Sequence, residues 1–132
     1  MLRTFDAFVV VTPEPNYGAP PALISARNDL YHEWCWKPMG VVRYGGVSDG
    51  SRSVQTTKAI GTTRKLMPIP EAVTIPFFAQ HRDQSGAFSA TEPHAQAATA
   101  ALTELHRWAE ALQPARGWGR SRRSSSPGLS RR

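Results

Sequence analysis

Two short loops carry the residue types that could hold a ligand. The first, Pro13-Glu14-Pro15-Asn16-Tyr17-Gly18, follows the apolar run Phe8 to Val11; the second, Tyr44-Gly45-Gly46-Val47-Ser48, closes the run that begins at Met39 and leads into Asp49-Gly50. Asn16 offers a carboxamide that both donates and accepts hydrogen bonds, and the glycines at 18, 45 and 46 permit close approach of backbone amides. With Tyr17 and Tyr44 beside them, these loops mark where a ligand should sit. Each loop alone is also an ordinary turn sequence; the two together, at the ends of adjacent strands, favour a binding site. No Ser, His or Cys constellation for covalent catalysis is visible, so no catalytic side chain is assigned. Cys35, between Trp34 and Trp36 and with no base beside it, reads as a packed or incidental thiol. His32, His81, His94 and His106 show no paired metal-ligand spacing, so no metal site is expected. Trp108 reads as core or subunit contact.

Such loops need a frame that brings them side by side. Four consecutive large apolar residues, Phe8 to Val11, suit a strand covered on both faces, the kind found in parallel sheets flanked by helices. In open sheets of that kind ligands bind just beyond the carboxyl ends of the strands. A crossover helix is expected over Pro20 to Trp34, with its prolines in the first turn and Leu23, Ile24, Leu30, Tyr31 and Trp34 near helical spacing. A second strand covers Met39 to Tyr44. The helix expected from Ser51 to Leu66 is weaker: the stripe containing Val54 runs on through Thr57, Lys58, Gly61 and Arg64 instead of apolar residues. Gly61 alone costs a helix interior about 1 kcal/mol against Ala, and Arg27 likewise follows Leu23 on a stripe that should be buried; such changes read as relaxed constraint. A third strand is expected over Ala72 to Phe78, where Val73, Ile75 and Phe77 alternate, then a polar loop from Gln80 to Ser89. The last helix begins at a Thr91 cap and steps along Ala98, Leu102, Leu105, Ala109 and Leu112. The sum is an α/β layered fold with about three strands and three helices, a parallel sheet with helices on both sides.

The 132 residues suit one domain, and the formal charge of +6 is local. Six of the sixteen basic residues, Arg116, Arg120, Arg122, Arg123, Arg131 and Arg132, lie in a stretch beyond Glu110 that has no acid, leaving ten basic against ten acidic elsewhere. The division expected is a folded domain over 1–114 and a disordered Arg/Ser-rich tail over 115–132. That tail reads as a solvated end, an electrostatic clamp or unselected residues. Its Ser124-Ser125-Ser126-Pro127 run lacks interleaved aromatics, so nucleic-acid contact is not expected of it. A single cysteine needs no oxidising compartment, which makes the cytoplasm the default location. No apolar run approaches the roughly 20 residues of a membrane span, and the opening Met1 to Asp6 is not a signal peptide.

In their order and spacing, Asp6 to Gly18, Pro21-Ala22-Leu23, Tyr31-His32-Glu33-Trp34, Lys37-Pro38, Tyr44-Gly45-Gly46-Val47-Ser48, Gly50, Arg52 and Val54 resemble the NAD(P)H-dependent FMN reductase family of flavodoxin-like proteins. The resemblance covers roughly Asp6 to Pro114. It implies a flavodoxin-like fold that binds FMN and passes hydride from NADPH or NADH to flavin, quinone or a similar acceptor, as a homodimer without a membrane. It implies that Pro13, Glu14, Asn16 and Gly18 hold one side of the flavin and Tyr44, Gly45 and Gly46 the other, with Tyr17 and Ser48 completing the loops. The family's first loop usually reads Pro-Glu-Tyr-Asn-His-Gly, so Pro15 and Tyr17 depart from it. Pro15 fixes its own φ and restricts Glu14. Family members also place a strand, a Ser/Arg-rich phosphate loop, a helix and another strand before the segment that begins here at Asp6. The expectation is therefore a domain incomplete at its N-terminus, whose Phe8 strand has an open edge. The alternative function is a truncated, non-catalytic remnant or dimerisation fragment of such an enzyme.

Overall fold

The computed structural model describes residues 4–121, with side chains through residue 116. Three strands, β1 (Phe8–Thr12), β2 (Lys37–Tyr44) and β3 (Leu66–Ile75), form one parallel sheet in the order β1-β2-β3. Three helices connect and flank them: α1 (Pro21–Asn28), α2 (Ser51–Thr63) and α3 (Glu92–Ser121). Phe8 pairs with Met39 and Thr12 with Arg43 across the first ladder, and Arg43 with Thr74 across the second, so all three strands end at one level.

Alternation along β2 sorts the faces. Met39 and Val41 point to one side, where they meet Val54 of α2, Leu66 and the half-buried Phe8, Val10 and Trp34. On the other side a Cβ on Gly40 would stand 3.7 Å from Leu105 of α3. The central strand is thus covered on both faces. The unalternating run Phe8 to Val11, expected to be covered on both faces, instead forms the edge strand β1, where the cover thins and Val9 and Val11 remain 48% and 62% exposed. The outer edge of β1 has no strand partner among the described residues.

Several boundaries differ from expectation. The first helix stops at Asn28, where Asn28-Asp29 favour a turn over another helical residue; Trp34 still reaches the core, edge-on to Phe8 at 4.6 Å. The third strand starts at Leu66, six residues earlier than read, because Pro68 and Pro70 lie on an edge strand where a missing N–H is tolerated. The ladder absorbs them by a register shift between Met39 and Val41. The strand ends at Ile75, since Phe77 turns left-handed at φ 47°. In α3, Leu105 and Ala109 are buried as the stripe requires, but Leu102 is exposed above the thin cover of β1. Helix α3 continues through Pro114 to Ser121, overlapping the stretch expected to be a disordered tail; 122–132 lie outside the described residues.

Arg27 and Gly61, read separately as irregularities, belong together. Arg27 is 2% exposed, and a Cβ on Gly61 would lie 2.6 Å from its Nη2. The glycine makes the space that the guanidinium fills. Nη1 and Nη2 have no hydrogen-bond partner there, nor does the buried hydroxyl of Thr57 one turn before Gly61.

Candidate functional site

The loops that leave the three strands at their common end form the candidate site. Pro13 follows Thr12, whose hydroxyl donates to the Pro13 carbonyl at 2.9 Å and accepts from Ser53 at 2.8 Å in the buried floor. Pro15, Asn16 and Tyr17 make one 3₁₀ turn. Asn16 and Tyr17 are both left-handed, with φ of 48° and 64°, and the Gly18 N–H closes the turn on the Pro15 carbonyl at 3.0 Å. Asn16 is exposed, and Tyr17 stands 76% exposed at the tip.

The second loop is held from both sides. Arg43 donates through Nε to Thr74 at 3.0 Å and pairs with Asp49 at 3.0 Å, while Ser51 bonds to both Arg43 and Asp49. Asp49 and Gly50 are left-handed. A side chain on Gly50 would press within 3.2 Å of the Tyr44 backbone, so this position needs glycine for both space and φ. Gly45 packs against the Gly50 backbone, whereas Gly46 and Gly18 face open space.

Glu14 ties the loops to each other. Its Oε1 accepts from the Ser48 hydroxyl at 2.9 Å and from Arg52 Nη1 at 2.7 Å, and its Oε2 accepts the backbone N–H of Arg52 at 2.7 Å. The carboxylate is 3% exposed. Burial works to raise its pKa, but the hydrogen bonds from Arg52 and Ser48 outweigh it and hold the group below the ordinary Glu value. Arg52 in turn lies over the Tyr17 ring at 4.5 Å.

Of the nine residues singled out in the sequence, Pro13, Glu14, Asn16, Tyr17, Gly18, Tyr44, Gly45, Gly46 and Ser48, all stand in these two loops at the strand ends. Their duties differ. Glu14 and Ser48 are spent on each other, Gly45 on loop packing, and Asn16, Tyr17, Gly18 and Gly46 present themselves outward. A third loop, unassigned from sequence, joins them. The N–H groups of Phe77 and Phe78 donate to the carbonyls of Gly46 and Gly45 at 3.2 and 3.1 Å, and the Phe78 ring meets Tyr44 edge-on at 5.3 Å. The signal available was that β3, like its neighbours, must end at the same edge; the alternating Val73, Ile75 and Phe77 hid it by extending the strand reading too far.

An apolar recess lies elsewhere, under α3, walled by Val9, Gly40, Val42, Ala98, Leu102 and Leu105. No polar side chain lines it, so the loops, which bring polar groups together, remain the candidate site. Among the described residues no group of three or more His, Cys, Asp or Glu could hold a metal ion, and no helix is long and apolar enough to cross a membrane.

The sequence profile described as NADPH-dependent FMN reductase matches residues 1–80. Over 72 residues, 54% of this chain and 36% of the other, the sequence is 40% identical to an NAD(P)H-dependent FMN reductase of Schizosaccharomyces pombe. Over 46 residues, 35% of this chain and 24% of the other, it is 50% identical to an NAD(P)H-dependent FMN reductase of Saccharomyces cerevisiae. The chain thus spans well under half the length of these relatives. Among solved structures, FerB, a flavoenzyme NAD(P)H:(acceptor) oxidoreductase from Paracoccus denitrificans, shares the fold with a TM-score of 0.56 at 19% identity, covering 86% of this chain and 64% of that one.

Proposed function

The chain belongs to the NADPH-dependent FMN reductase family, and from that premise we propose that its strand-end loops hold the ring of FMN in an oxidoreductase that uses NADPH or NADH. The observation that carries this reading is the convergence of three loops, with apolar faces uncovered, at the carboxyl ends of three parallel strands. Tyr17, Val47 and Phe77 are exposed there, and no atom lies within 4 Å of where a Cβ on Gly18 or Gly46 would stand. These residues fit a flat plate laid against open backbone.

When bound, FMN supplies the hydride transfer from NADPH or NADH to flavin, quinone or a similar acceptor. The protein supplies position. Asn16, Gly18 and Gly46 would hold the ring through polar and backbone groups, Tyr17 and Tyr44 would supply aromatic surface, and Pro13 and Gly45 set the course of the loops. Glu14 and Ser48 act one step back, by keeping the two loops at a fixed separation. We propose a functional unit that extends past 114 along α3, where Arg116 pairs with Asp6 and donates to the Ala109 carbonyl, and a cytoplasmic location.

A second reading, a non-catalytic chain that dimerises, is favoured by the open β1 edge with its exposed Val9 and Val11. Titration of FMN and riboflavin with the purified chain, followed by quenching of flavin fluorescence, separates the two. Saturable binding supports the reductase reading, and NAD(P)H oxidation is then assayed. A cooperatively folded chain that quenches neither flavin supports the second reading, and sedimentation measures the expected homodimer.

A further inference from the structure

We propose that Arg52 is a positioning residue for the flavin plane, acting by holding Tyr17 in place and not by gripping a phosphate; this rests on the proposed flavin site. Two consecutive non-glycine residues, Asn16 and Tyr17, stand left-handed at the tip of the first loop. Such backbone persists only where its surroundings hold it. The turn's own Gly18 to Pro15 bond is one restraint. The other is the guanidinium of Arg52, 4.5 Å from the centre of the Tyr17 ring.

Arg52 can hold an exposed ring because Arg52 is itself held. Its Nη1 is bonded to the buried Glu14 carboxylate and its backbone lies in the first turn of α2, with the N–H taken by the same carboxylate. The guanidinium is thus held through Nη1 while its Cζ lies over the ring, a division of labour that an ammonium group could not perform. The same bonds argue against a phosphate contact. The α2 N-terminus, otherwise a ready anion site, is occupied by Glu14, and a carboxylate stands where a phosphate would be repelled. The chain Glu14, Arg52, Tyr17 therefore runs from the buried floor to the exposed tip, and sets the angle of the one aromatic face that the first loop brings to the ligand.

The test compares FMN and riboflavin affinities of the full chain carrying Arg52→Gln, Tyr17→Leu and both. Each single change is expected to weaken the two ligands alike, by about tenfold, and the double to be no weaker than either single. Tyr17→Phe, which keeps the ring, should stay within about twofold of the parent. Loss of FMN affinity with riboflavin untouched would show a phosphate contact and overturn the proposal, as would single losses that multiply in the double. Should the parent bind neither flavin, the proposed function fails and the brace is judged without ligand. The Arg52 side-chain protons are then expected upfield in the NMR spectrum of the parent and at ordinary shifts in Tyr17→Leu; ordinary shifts in both would sink it.

Discussion

Glu14 caps helix α2 from outside the helix: its Oε2 accepts the Arg52 N–H at 2.7 Å, while the residue at the N-cap position, Gly50, has no side chain to offer. One carboxylate therefore closes a helix start and joins two loops. Glu14→Ala should lower the urea midpoint more than Glu14→Gln, which keeps one acceptor oxygen and the side-chain shape. The pH dependence follows from the direction of the shift. Burial raises this pKa, but the bonds from Arg52 and Ser48 prevail and depress it. The stabilisation is accordingly full above the unfolded-state Glu pKa and lost as pH falls through the lower folded value. Urea midpoints measured from neutral to acid pH should show this loss in the parent and lack that component in Glu14→Gln.

Arg27 and Gly61 should be strongly coupled. Gly61→Ala improves helix propensity by about 1 kcal/mol, yet its methyl would meet Arg27 Nη2 at 2.6 Å, so the single change should destabilise. Arg27→Met removes a buried guanidinium whose two Nη groups lack partners and should stabilise by about 1–2 kcal/mol. In the Arg27→Met background Gly61→Ala should turn stabilising. A double-mutant cycle from thermal or urea unfolding reads the change of sign.

The start of α3 is capped by a histidine. The Thr91 N–H donates to His94 Nδ1 at 3.2 Å, and the Thr91 carbonyl takes the Ala95 N–H. His94→Ala should cost about 0.5–1 kcal/mol, and His94→Glu, which completes a capping box with Thr91, should recover it. Hydrogen exchange in the first turn of α3 is the local readout.

Val11 is 62% exposed on β1, whose outer edge has no strand partner among the described residues, and should govern any self-association through that edge. Val11→Lys is expected to shift the chain toward monomer with little change in unfolding temperature, because a charged side chain on an edge strand hinders further strand pairing. Sedimentation velocity over a concentration series checks it, and an unchanged profile would place the association elsewhere.

Periodicity made the strands and the last helix legible, and the two loops were legible because glycine, proline and asparagine mark chain direction locally. What stayed hidden was pairwise. Arg27 and Gly61 each look like an error on an amphipathic helix, and only their contact across two helices makes them complementary. Glu14 carries the residue type of a ligand contact, but its partners at positions 48 and 52 are brought to it by β2 and α2, which local sequence does not show. Pro68 and Pro70 punctuate a sequence, yet an edge strand with a register shift accommodates both.

Those two prolines have a consequence for stoichiometry. A sheet with two open edges can add chains at both ends without limit, but Pro68 and Pro70 leave β3 without two backbone donors and its ladder with β2 shifts register, which makes that side the poorer template. Among the described residues, β1 carries no proline and has no strand partner on its outer edge. Two chains that join there, one edge against its own copy, leave no equivalent surface for a third, so growth by that route closes at a pair instead of running on into a fibre.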